Sequence, residues 1–203
     1  MQAPFVARGY AIALFIHILG VVALFAGFSM QQRAGSRLRS ATTHEEARRW
    51  TEMLGMSRSM VPSGVVMLLV TGGYLAYLLG GSQPAAWIST AMVTALLIGI
   101  VAVAVTNRGF GAIARAVSAG AGPLSGEAAR RIGSATTWSA LAATNGAALG
   151  TLWLMTAKPG TLESIIAVVL PAAIGAIVGA RLGRAAPAAA SRPTLASGPT
   201  IDN

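Results

Sequence analysis

Five stretches of the chain, Tyr10–Met30, Val61–Gly80, Ala86–Thr106, Thr136–Thr156 and Leu162–Ala180, each run for about 20 residues without an Asp, Lys or Arg. Their one acidic residue, Glu163, stands at the edge of the fifth. A helix of that length, rising 1.5 Å per residue, crosses about 30 Å of hydrocarbon. Strands of a membrane barrel would alternate apolar and polar positions over about ten residues, and these runs do not alternate. The expected fold class is therefore all-α, a polytopic transmembrane helical bundle of five spans over residues 10–30, 61–80, 86–106, 136–156 and 162–180. Composition closes the soluble alternative: charged residues are 10% of the chain, against about 25% in soluble domains, too few to coat a water-facing surface.

The charge that is present is strongly one-sided. Net charge is +9, and 13 of the 15 basic residues fall between the first and second spans, between the third and fourth, or after the fifth. Only Arg8 and Lys158 lie on the other side. The positive-inside rule then predicts an N-terminus outside and a C-terminus in the cytoplasm of a bacterial inner membrane. Arginines just beyond span ends face anionic headgroups, which are their expected partners. They are spread over three loops without interleaved aromatics, so nucleic acid is not expected as a partner. The first span is longer than a signal-peptide core and no small-residue cleavage site follows it, so it reads as a retained anchor.

Between the first two spans, Thr43 and Glu46 form a capping-box pattern, predicting an interfacial helix over 44–57. Ser125 can cap a further helix, with Glu127 favourable near its start. The Ala/Pro/Ser-rich segment 185–203 has no apolar periodicity and is expected to be a disordered cytoplasmic tail. Small residues allow close helix approach at Gly72-Gly73, at Gly146 and Gly150, and at Gly175, Gly179 and Gly183. Such faces serve an internal bundle, a homodimer or a larger membrane complex equally well. Pro171, inside the fifth span, is a tolerated bend or a source of a free carbonyl. Trp87, Trp138, Trp153, Tyr74 and Tyr77 lie toward span ends and read as interface anchors.

Several chemistries are absent from the sequence. There is no cysteine, and two histidines cannot make a three-His zinc centre. No Walker-type, G-x-S-x-G or HExxH motif occurs. The one ionisable group deep in a span is His17, seven residues in from Tyr10 and so about 10 Å below the outer end. An imidazole facing lipid there is costly, so it should point into the bundle. It shares a helix face with Ala13, Gly20, Leu24 and Gly27, which leaves a shallow groove for a flat macrocycle or a neighbouring helix. Three roles fit it: a hydrogen bond to Asn145, a Thr or a carbonyl of another helix; an axial ligand of haem iron; or a proton relay.

Depth selects the second ligand in the haem case. His44 lies beyond the opposite end of the first span, which excludes a bis-His site within one chain, and Met67 sits too low. Met92 is five residues in from Trp87, about 8 Å deep, level with His17. Its thioether is an axial ligand type that raises the reduction potential, although methionine also serves as ordinary apolar filling. Asn145, at mid-membrane, would bond a propionate, a substrate carbonyl or another helix.

The stretch Leu14 to Gly27, in which His17 is followed nine and ten residues later by Ala26-Gly27, resembles the first helix of a group of small polytopic proteins. That group comprises the HemJ-type protoporphyrinogen oxidases, the CopD-type copper-resistance proteins and an uncharacterised bacterial integral membrane family related to them. Arg58-Ser59-Met60-Val61-Pro62 with Thr71-Gly72 is similar to their second-helix pattern, so the resemblance spans about residues 10–106. It implies a haem b site on the first-helix His. HemJ-type enzymes carry a Lys four residues after the Trp that opens the third helix; here that position is Ala91, beside Met92, so the oxidase chemistry is not carried over.

Two readings follow. In the first, the protein binds haem b (cofactor-binding residues His17, Met92, Gly20, Gly27 and Asn145, iron ligands His17 and Met92) and passes electrons to or from a quinone or another membrane partner. In the second, it is a non-catalytic accessory subunit or small permease-like bundle with no cofactor, His17 is structural and the glycine faces bind a partner. Active transport ranks low because His17 alone could serve an ion path.

Overall fold

The computed structural model describes residues 3–80 and 85–185, and its regular structure is helical. Eight α-helices follow in order among the described residues: α1 (Ala3–Arg39), α2 (His44–Ser57), α3 (Met60–Gly80), α4 (Ala86–Val101), α5 (Arg108–Ser118), α6 (Gly126–Ile132), α7 (Ala135–Ala157) and α8 (Thr161–Arg184). A π-helical turn, Ala102–Asn107, joins α4 to α5 without a break. Four helical stretches, in α1, α3, α4 and α8, are long and apolar enough to cross a membrane. The segment 185–203 read above as a disordered tail lies, past Ala185, outside the described residues.

Side-chain exposure follows the lipid rule rather than the water rule. Phe15, Ile18 and Val22 on α1, Val70 and Tyr77 on α3, and Ile166, Leu170 and Ile177 on α8 are all exposed, as apolar groups in hydrocarbon should be. α7 differs. Rich in Thr, Asn and Gly, it is not among those four stretches, and its Thr137, Thr144, Gly146, Ala147, Ala148 and Gly150 are buried.

The small residues on α7 and α8 meet within the chain. A Cβ added at Gly146 would strike the Pro171 carbonyl, one at Gly150 the Ala167 carbonyl, and ones at Gly175 and Gly179 the carbonyls of Ala142 and Trp138. The α7 and α8 glycine faces read above as available to a dimer are thus turned toward each other within the chain. Pro171 stays inside an unbroken α8, and its backbone is part of that contact.

At the arginine-rich end, α1 continues nine residues beyond Met30 and, with α2, α5 and α6, builds a compact unit. The Thr43 hydroxyl accepts from the Glu46 amide at 3.2 Å, and the Glu46 carboxylate accepts from the Thr42 amide, so both open the first turn of α2. His44, Ala47, Thr51, Leu54 and Ser57 then bury one face of that helix. The Ser125 hydroxyl likewise caps α6 through the Ala128 amide, and Glu127 pairs with Arg130 and Arg131.

His44 pins this unit together. Only 1% exposed, it donates from Nδ1 to the Val117 carbonyl at 2.7 Å and accepts at Nε2 from the Ser125 amide at 3.1 Å. The Gly120 backbone lies against the ring so closely that a Cβ there would stand 2.6 Å from Cε1. Beside it, the Glu45 carboxylate accepts from the Gly122 amide, which holds its pKa below the ordinary 4.5. That contribution is complete above pH 4.5 and is lost as pH falls through the lower folded-state value. Replacing His44 by Ala orphans a buried carbonyl and an amide, and should cost about 2–3 kcal/mol of stability, measured by thermal unfolding in detergent. A change under about 0.5 kcal/mol would contradict this role.

Trp138 is not the interface anchor expected from its position near a span end. It is 2% exposed, because α1 and α5 outrun the span and enclose it. Its indole N–H donates to the Ile132 carbonyl at 2.5 Å, the Phe110 ring lies 5.9 Å away, and the Arg39 guanidinium sits 4.6 Å over its face. Gly35 on α1 has no side chain because the ring fills that space.

Candidate functional site

Four helices bound a cavity of about 540 Å³ in the end of the bundle away from the arginines. α1 packs on α3, α3 on α4, and α4 on α7, while α7 and α1 form no comparable interface to close the ring. Tyr10, Trp87 and Met155 stand at the mouth; Leu24, Phe25, Val65 and Ile98 form the floor. The volume lies within the range of about 300–1,000 Å³ typical of small-molecule and cofactor sites. Its walls are almost wholly apolar, with few polar side chains among them, notably Tyr10, His17 and Thr151.

His17 projects from α1 onto α3. Its Nδ1 lies 3.0 Å from the Thr71 hydroxyl, and that hydroxyl donates to the Met67 carbonyl at 2.5 Å. With its proton committed, the Thr71 oxygen accepts from His17 Nδ1–H. Nε2 of the neutral ring therefore carries the lone pair, and no hydrogen bond among the described residues engages it. The absent side chain of Gly72 gives the ring its place: a Cβ there would stand 3.2 Å from His17 Cε1.

Met92 reaches the same level from α4. Its methyl group lies 3.7 Å from where a Gly73 Cβ would be, so His17 and Met92 rest against consecutive glycines of α3. Both line the cavity, with Ala91 beside Met92. Met155 is a second thioether on the wall, but it sits two residues from the end of α7, at the mouth.

The other three residues singled out in the sequence lie elsewhere. Gly20 and Gly27 seat α1 on α3: a Cβ at Gly20 would stand 3.2 Å from Met67 Cβ, and one at Gly27 would stand 2.9 Å from Val61 Cγ2. The groove beside His17 is thus filled there by a neighbouring helix. Asn145 is outside the cavity lining, and its amide donates to the Leu141 carbonyl of its own helix at 2.7 Å. Thr71 was legible only as part of a resemblance to a second-helix pattern. Its partnership with His17 depends on how α1 and α3 are set against each other, which no spacing along the chain encodes.

Residues 11–159, from the first turns of α1 to just past α7, match the family model DUF2269, described as predicted integral membrane protein. The chain belongs to that family. His17, Thr71, Met92 and nearly every residue of the cavity wall fall within the matched region, whereas α8 lies beyond it. No curated protein and no solved structure matches the chain.

Proposed function

We propose that this member of DUF2269 is a five-span haem b protein of the bacterial inner membrane, N-terminus outside, that takes part in membrane electron transfer. His17 Nε2 and Met92 Sδ would hold its iron. The observation that carries the reading is the Thr71 hydroxyl bound to Nδ1, which leaves Nε2 as the free donor atom. Metal-bound histidines almost always commit their second nitrogen in this way.

The residues present fit the group. An imidazole and a thioether line one apolar cavity, and the missing side chains of Gly72 and Gly73 on α3 leave room for the His17 ring and the Met92 methyl respectively. Haem b, when bound, supplies a one-electron iron couple, and ligation by a thioether raises its potential. The chain's own part is to hold both ligands, fix the imidazole through Thr71, and keep water out with aliphatic walls. Arginines of the opposite end face the cytoplasm and anionic headgroups, which sets the depth of the site near the outer surface.

A haem-free alternative, in which the His17–Thr71 hydrogen bond only fastens α1 to α3, makes the opposite spectral prediction. Thr71 separates the two further. Thr71→Val should weaken haem binding about 10- to 100-fold, the usual effect of losing the partner of a ligating histidine, and Thr71→Ser should restore it. Equal haem affinity in both variants and the wild type, by titration of the detergent-purified protein, would contradict the ligand role of His17.

A further inference from the structure

Lys158 is one of the two basic residues at the cavity end of the molecule, and neither was assigned a role from the sequence. On α7 the cavity wall is made by Ala148, Thr151, Leu152 and Met155, and Lys158 follows Met155 by three residues, just past the end of that wall. It is the C-cap of α7, with φ 48° and ψ 51°. That left-handed conformation usually goes to Gly or Asn, and a lysine there costs about 1–2 kcal/mol. Its ammonium leans back 5.9 Å from the centre of the Trp87 ring, at the start of α4, and Trp87 itself lines the mouth. No carboxylate among the described residues pairs with it.

An unpaired cation held over the rim of a deep apolar cavity selects a ligand with an apolar body and an anionic end. We propose that Lys158 binds the carboxylate of the cavity's ligand at its mouth. On the haem reading, upon which this source depends, that carboxylate is a propionate. A free fatty acid offers the same chemistry, with its chain running down toward Phe25 and Ile98. The ion pair forms at the membrane surface beside an aromatic ring, where partial loss of water strengthens it over a fully exposed pair.

The test compares the detergent-purified full chain with Lys158→Asn and Lys158→Arg. Asn tolerates the left-handed cap, so the fold is preserved when the charge is lost. Each protein is titrated with haemin and with its dimethyl ester, which has no carboxylate, and with oleate and methyl oleate by displacement of a fluorescent fatty acid. Lys158→Asn should weaken haemin binding about fivefold and leave the diester unchanged, with Lys158→Arg close to wild type. If the wild type binds no haemin but binds oleate in a Lys158-dependent way, the haem reading fails and the carboxylate site stands, with a fatty acid as its ligand. If Lys158→Asn binds both acids as tightly as the wild type, or if neither acid binds the wild type, the proposal is overturned.

Discussion

His17→Ala is expected to purify folded and colourless. If His17 holds the iron as proposed, its loss should lower haem affinity by more than the roughly 100-fold upper effect of losing a partner of a ligand. The cost to the fold is small by comparison. The substitution removes one hydrogen bond, worth about 1 kcal/mol, and Thr71 remains satisfied by the Met67 carbonyl. Haem content per protein, read from the Soret absorbance, and a thermal unfolding curve of the same sample separate the two effects. Unchanged haem content in a folded variant would remove His17 from the site.

Trp138→Ala is expected to be the most destabilising single substitution at the arginine-rich end. The indole is enclosed by α1, α5, α6 and α7, so truncation leaves a large void, frees the Ile132 carbonyl and removes the ring beneath Arg39. Truncating a buried Trp costs about 3–5 kcal/mol. For a chain of this size that lowers Tm by about 10 °C. Trp153, exposed on the outer surface of α7, provides the comparison: Trp153→Ala should shift Tm far less. Equal shifts for the two would mean that Trp138 is a surface anchor after all.

How far the sequence reaches is clear from these residues. Apolar runs of spanning length identify α1, α3, α4 and α8 because lipid demands that every turn be apolar, a constraint written locally. Caps are equally local, and Thr43 and Ser125 serve as expected from their neighbours. The small-residue spacing on α7 and α8 marks close packing, yet only the folded chain shows that each helix fills the other's glycine face. Trp138 misleads because its burial depends on how far α1 and α5 extend past the bilayer, which hydropathy does not report. The π-helical turn at Ala102–Asn107 has no sequence signal of its own. Within it Thr106 is 2% exposed with an unpartnered hydroxyl, whereas Thr71, Thr94, Thr144 and Thr151 each donate to the carbonyl four residues back. The wider turn displaces that carbonyl from Thr106.

The site was legible by halves. Depth along each span places His17 and Met92 at one level, because helical rise is fixed. Rotation about each helix axis is not fixed by rise, so the seating of Gly20 and Gly27 against α3, the inward bond of Asn145 to its own helix, and the Thr71–His17 pair emerge only in the assembled bundle.

The most direct measurement is the absorption spectrum of the wild-type protein, purified in mild detergent from haem-replete cells and checked for folding by circular dichroism. The account predicts a Soret band at close to one haem per chain, with reduced α and β bands of a six-coordinate haem b. A folded, monodisperse protein without visible absorbance, and unable to take up added haemin, would contradict it.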